Sequence, residues 1–144
     1  MSYASIVPLI GGETIAMENV FGEKPKYFLT FDGFQANESH INNYYNHKVP
    51  YLNLSEGASY TEKVDVINTV CPCAGLSSLS PSASSNNPMN EWMYKSAEYV
   101  LGEVQPKVFW GENAPRLASK MGEPVVRRLR KIGEEHGYTF SIFK

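Results

Sequence analysis

Val64-Asp65-Val66-Ile67-Asn68-Thr69-Val70 runs straight into Cys71-Pro72-Cys73. A short run rich in β-branched residues, stopped by a turn signal, reads as a strand. Similar runs recur on either side, with helical patterns between them. Upstream, Ser5-Ile6-Val7-Pro8-Leu9-Ile10 predicts a first strand ending at Gly11-Gly12. Residues 13–20 follow with Ile15, Ala16 and Val20 at helical spacing, and Gly22 stops them. Tyr27-Phe28-Leu29-Thr30-Phe31 predicts a second strand closing at Asp32-Gly33, residues 36–45 a helix, and Val49-Pro50-Tyr51-Leu52-Asn53-Leu54 a third strand or extended edge. Downstream, residues 75–90 are rich in Ser, Asn and Pro and read as a mobile loop. Residues 91–103 predict a helix and Lys107-Val108-Phe109-Trp110-Gly111 a fifth strand. Residues 124–136 predict a helix with Pro124 at its start and Gly137 at its C-terminal cap. Tyr138-Thr139-Phe140-Ser141-Ile142-Phe143 begins a sixth strand. Strand and helix alternate throughout. That predicts right-handed crossovers and an α/β fold with a doubly wound, mostly parallel Rossmann-like sheet. No repeat or linker divides residues 1–144, so they are expected to form a single domain.

The 144 residues are enough for one domain with a real core. No apolar run approaches the roughly 20 residues of a membrane span, which argues against a membrane partner. Met1-Ser2-Tyr3-Ala4 lacks the basic and apolar regions of an export signal. Cys71 and Cys73 stand too close together for an ordinary disulfide, and a reducing cytoplasm is the simplest compartment. Net charge is −2, so a strong nucleic-acid affinity of the chain alone is not expected. The basic cluster Arg127, Arg128, Arg130 and Lys131 reads first as a solvated helix face.

In a parallel sheet, ligands bind beyond the carboxyl ends of the strands, and the chemically distinctive residues fall there. Gly11-Gly12 lies between the first strand and the first helix, where a ligand can approach the backbone and a helix N-terminus favours an anion. A generic tight turn would look the same. Asp32 at the end of the second strand suits ribose hydroxyls, or is a turn or helix-cap residue. Together they suggest a nucleoside-containing cofactor, and the absence of GxGxxG argues against an ordinary dinucleotide. Pro72 would hold Cys73 in one direction, as a nucleophilic thiol needs; a buried structural cysteine is the plain alternative. No further Cys or clustered His completes a metal site with Cys71 and Cys73. Glu112-Asn113 follows the fifth strand, and a carboxyl beside an apolar strand end can keep its proton and act as a general acid.

In this order the chain resembles the N-terminal part of the DNA cytosine-5 methyltransferases, over nearly its whole length. The family's Pro-Pro-Cys-Gln motif is matched by Cys71-Pro72-Cys73-Ala74-Gly75-Leu76-Ser77 and its Glu-Asn-Val motif by Glu112-Asn113-Ala114. Val104-Gln105-Pro106-Lys107-Val108-Phe109 and Gly137-Tyr138 are also in the family's style. Of the Phe-x-Gly-x-Gly-Gly turn, Val7-Pro8-Leu9-Ile10-Gly11-Gly12 keeps the last two glycines.

The resemblance implies S-adenosyl-L-methionine as cofactor, with Gly11, Gly12, Asp32, Asn53 and Leu54 around it. Asp32 is preferred to Glu38 as the second-strand acid, and Asn53 stands where the family has a third-strand Asp. It implies Cys73 as the nucleophile on a flipped cytosine, Glu112 as the acid at its N3, and Asn113 as the residue that orients the cysteine loop. The family's seventh strand and target-recognition domain have no counterpart here. The chain is therefore expected to be an incomplete enzyme, binding DNA weakly alone and relying on a complementing polypeptide. A binding module without turnover is the alternative. An unrelated cysteine hydrolase would need a histidine near Cys73, a role that His40, His47 and His136 do not obviously fill.

Overall fold

Apolar runs far apart in the sequence become neighbours in the sheet. In the computed structural model, which describes residues 1–70, 88–113 and 115–143, the chain divides into two compact units. The first comprises Met1–Val70 and Val104–Gly111, the second Cys71–Glu103 and Glu112–Lys144.

The first unit is built on five parallel strands. They are β1 (Tyr3–Ile6), β2 (Phe28–Thr30), β3 (Tyr51–Asn53), β4 (Val66–Thr69) and β5 (Val108–Gly111), in the order β3-β2-β1-β4-β5. The chain steps outward from β1 to β3 and then returns to the other side of β1. That is the doubly wound, Rossmann-like pattern, and its switch point lies between β1 and β4. Ser5 pairs with Phe28 on one side and Asn68 on the other, and Thr69 pairs with Gly111. β1, β2 and β4 are buried at every position, as expected of parallel strands covered on both faces.

Two helices follow the first two strands. α1 (Gly12–Phe21) packs Met17 and Phe21 on Tyr3 and Val66. α2 (Gln35–Tyr44) packs Ile41 on Phe28, with Tyr45 and Val49 completing the cluster. Gly22 ends α1 in the left-handed conformation, and its N–H bonds the Glu18 carbonyl.

In the second unit α3 (Glu91–Tyr99) runs on into a looser helical turn, Val100–Val104, whose last residue belongs to the first unit. α4 (Glu123–Glu135) has its proline in the first turn. The guanidinium of Arg128 lies 3.9 Å from the Tyr94 ring centre and 3.2 Å from Glu91 Oε1, tying α4 to α3.

Two sequence expectations are corrected. The first strand stops at Ile6 rather than Ile10, because Val7 and Leu9 turn into the left-handed region (φ 49° and 51°). Residues 138–143 form no sixth strand. The Tyr138 amide donates to the Gly133 carbonyl at 2.8 Å, and Phe140 lies 5.2 Å beneath the Arg130 guanidinium. The segment folds back on α4, and an alternating pattern without a ladder partner does not make a strand. The expected loop at 75–90 falls almost wholly outside the described residues.

Candidate functional site

The carboxyl ends of β1, β2 and β3 each carry a residue singled out in the sequence. Gly11 caps α1 at φ 96°, and its carbonyl accepts the Ile15 N–H at 3.0 Å. A Cβ at Gly11 would overlap Ile41 of α2, 2.5 Å from its Cγ1 and 2.6 Å from its Cβ. At Gly12 a Cβ would meet nothing within 4 Å. Gly11 therefore lets the turn close on α2, and Gly12 leaves its outer side open.

Asp32 is exposed just beyond β2. Its Oδ1 accepts the Asn53 side-chain amide at 2.7 Å, and its own N–H donates to Ser55 Oγ at 3.0 Å. Asn53 ends β3, in register with Thr30, and its Oδ1 accepts the Ser55 N–H at 2.9 Å. Leu54 opens the short helical turn Leu54–Glu56. Asp32 and Asn53 thus form one polar ledge across two adjacent strand ends. An ionised carboxylate has about four acceptor positions, so Asp32 keeps capacity beyond the Asn53 amide.

Glu38, weighed in the sequence as the second-strand acid, is fully buried on α2. Its Oε1 accepts the hydroxyls of Thr30 at 2.5 Å and Tyr51 at 2.6 Å, and its Oε2 the Leu9 N–H at 3.3 Å. Burial pushes this carboxyl above the ordinary carboxylate range, and the three donors pull it part of the way back. Folding then favours the protonated form, so the stability Glu38 contributes is fully present below the ordinary carboxylate pKa. It is lost as pH rises through the raised folded value. In urea titrations the parent is expected to lose stability across that window, and Glu38→Gln is not.

A second polar cluster lies under the switch point. The Ser5 hydroxyl bonds Asn68 Oδ1 and sits 3.0 Å from Thr14 Oγ1, while Asn68 Nδ2 donates to Glu13 Oε1 at 3.1 Å. The sequence reading missed this cluster. Its signal was there: Ser5 and Asn68 are polar residues inside apolar runs.

Gly111 ends β5, and a Cβ there would lie 2.7 Å from Thr69 Cγ2. Glu112 follows directly in the chain and is exposed. Asn113 donates its side-chain amide to Met93 Sδ at 3.0 Å, inside the second unit. Pro72 and Cys73 lie outside the described residues. Within the basic cluster, Arg128 and Arg130 are engaged with Tyr94 and Phe140. Among the described residues no cluster of His, Cys, Asp and Glu could hold a metal ion. No helix there is long and apolar enough to cross a membrane.

No protein-family model matches the chain. The chain is similar to a curated protein of Methanocaldococcus jannaschii named "Putative type II methyltransferase M.MjaORF1200P". The two are 34% identical over 85 residues, which is 54% of this chain and 22% of that relative. The chain thus matches less than a quarter of the relative's length. The sheet of the first unit is parallel and doubly wound, a Rossmann-like pattern.

Proposed function

We propose that this chain carries the cofactor half-site and the nucleophile of a DNA cytosine-5 methyltransferase. The observation that carries the reading is the pairing of Thr69 with Gly111. The chain leaves β4 and β5 from paired residues at the sheet edge that also holds Gly11, Asp32 and Asn53. Cys71-Pro72-Cys73 follows the first exit and Glu112-Asn113 the second.

The residues present fit S-adenosyl-L-methionine. The turn before α1 is closed on α2 at Gly11 and open at Gly12. The exposed Asp32 carboxylate can accept ribose hydroxyls, and the Asn53–Leu54 segment borders it. When bound, the cofactor supplies a methyl group activated as a sulfonium. The chain's own residues do the rest. The Cys73 thiolate bonds to C6 of the flipped cytosine. Glu112 gives a proton to N3, so charge does not build up on the ring, and C5 becomes nucleophilic. After methylation, the C5 proton passes to a base, the Cys73 sulfur departs as thiolate, and N3 returns its proton to Glu112, which restores the ring. DNA is the substrate, and elements that recognise its sequence, outside residues 1–144, would complete the enzyme.

The test is covalent capture. At high protein and DNA concentrations and long incubation, so that weak binding and slow reaction still accumulate trapped product, the chain is incubated with S-adenosylmethionine and a random-sequence duplex library containing 5-fluorocytosine, whose fluorine cannot leave C5 as a proton does. An adduct that survives denaturation, with the base on the Cys73 peptide, is the expected result. Methyl label on exocyclic amino groups, with no adduct, overturns the C5 assignment.

A second reading, a cofactor-binding module without turnover, draws on Val7 and Leu9, side-chain-bearing residues at positive φ in the turn. It predicts binding with neither label nor adduct. Under either reading Asp32→Ala is expected to weaken S-adenosylmethionine binding about 10- to 100-fold in calorimetric titration, the loss of a charge-assisted hydrogen-bond acceptor.

A further inference from the structure

The turn that closes the cofactor half-site holds residues that do not favour it. Val7 is β-branched and lies at φ 49°, and Leu9 lies at φ 51°. L-residues avoid this left-handed region, and such strain persists only where surrounding contacts over-determine it. Val7 is tied on both sides by backbone bonds. Its N–H reaches the Leu29 carbonyl at 2.8 Å, and its carbonyl accepts the Val70 N–H at 3.2 Å. At Leu9 the tie comes from a side chain, since the amide donates to Glu38 Oε2.

Glu38 is anchored in its turn. Its other oxygen takes hydroxyls from β2 (Thr30) and β3 (Tyr51), and α2 carries it next to Ile41, the residue that touches Gly11. One buried carboxyl group therefore joins the turn after β1, both neighbouring strands and α2. Glu38 has no exposed surface, so its role toward a ligand runs through the turn.

We infer that Glu38 is a positioning residue for the cofactor: by holding the Leu9 amide it keeps the strained Val7–Gly11 turn in the shape that receives S-adenosylmethionine. This rests on the cofactor reading above. An acid that merely cements α2 to the sheet would contribute stability without regard to Leu9. The two roles separate through the strain, because glycine at position 9 adopts φ near 51° without a steric cost.

The experiment compares the parent with Glu38→Met, Glu38→Gln, Leu9→Gly and the double variant Glu38→Met/Leu9→Gly. Two quantities are read on each full-length protein. One is the S-adenosylhomocysteine dissociation constant; the other is amide exchange at Leu9–Gly11 without ligand. Methionine fills the space but accepts no comparable hydrogen bond. Glu38→Met is expected to weaken binding about 10-fold and speed exchange in the turn by a similar factor. Glu38→Gln should bind within about 3-fold of the parent. Its carbonyl can face Leu9 while its amide donates to the Thr30 and Tyr51 oxygens. Leu9→Gly in the Glu38→Met background is expected to recover most of the lost affinity.

Unchanged affinity and exchange in Glu38→Met overturn the inference. So does a loss that Leu9→Gly fails to rescue, which would mean that Glu38 acts through packing alone. A folded parent that binds neither S-adenosylmethionine nor S-adenosylhomocysteine overturns the cofactor reading instead. The exchange rates then still decide whether Glu38 holds the turn.

Discussion

Cys73→Ala is expected to abolish the covalent adduct with 5-fluorocytosine DNA and to lower methyl transfer by roughly 10⁴-fold, the scale on which removing an enzyme nucleophile acts. S-adenosylmethionine binding should stay within a few-fold of the parent, because the cofactor residues of the first unit lie at other strand ends. Cys71→Ala is the informative companion. Both thiols flank Pro72, and an accessible thiolate in either place could add to a reactive base non-specifically. The chemistry proposed needs one thiol aimed at C6, and Cys73 is the one that matches the cysteine of the family's Pro-Pro-Cys motif. Cys71→Ala should therefore keep both adduct and transfer within a few-fold. An adduct that survives in Cys73→Ala and disappears in Cys71→Ala would reassign the nucleophile. An adduct lost equally in both would point to the pair acting together.

Gly11→Ala is expected to cost about 2–5 kcal/mol of folding stability, read as a shift in the urea midpoint. Two costs add. A left-handed φ of 96° penalises any L side chain by about 1–2 kcal/mol. The new Cβ would also overlap Ile41, and overpacking costs about 1–3 kcal/mol. Ile41 cannot swing clear, because the clash includes its own Cβ, which moves only with α2. α2 in turn is held by Glu38 and by the cluster of Phe28, Tyr45 and Val49. Against a typical total of 5–15 kcal/mol, the variant would be partly unfolded or have its turn displaced. Gly12→Ala is the control. The first helical position has open space for a methyl group, so that variant is expected to match or exceed parent stability by up to about 1 kcal/mol. Opposite outcomes at adjacent glycines would verify the close approach of the turn to α2.

The strands and helices were largely legible because burial leaves a periodic mark on a sequence. Val66–Thr69 and Phe28–Thr30 sit inside the apolar runs that predict them, and α4 has its proline in the first turn and ends before Gly137. The residues proposed for the cofactor were legible as residue types at strand ends. Its internal bonds were not. Asn53 was read as a ligand for the cofactor, yet its amide also serves Asp32 and Ser55, a relation across β2 and β3 that no local pattern carries. Glu38 was weighed in the sequence as an alternative second-strand acid. Only the convergence of Thr30, Tyr51 and Leu9 makes it a buried one.

By itself the sequence determined the parallel α/β class, the residues placed at the carboxyl edge and the chemistry they suggest. Those follow from local periodicity, from which strand ends carry glycine, acid or thiol, and from motif spacing. The tertiary structure decided the strand order, the closure of Gly11 on Ile41, the capture of Leu9 by Glu38, and the folding of residues 138–143 onto α4 rather than into the sheet. Each depends on a partner remote in the chain. A residue's own neighbours report whether it is buried, whereas what it meets there is settled by close packing and by the need to satisfy every buried polar group.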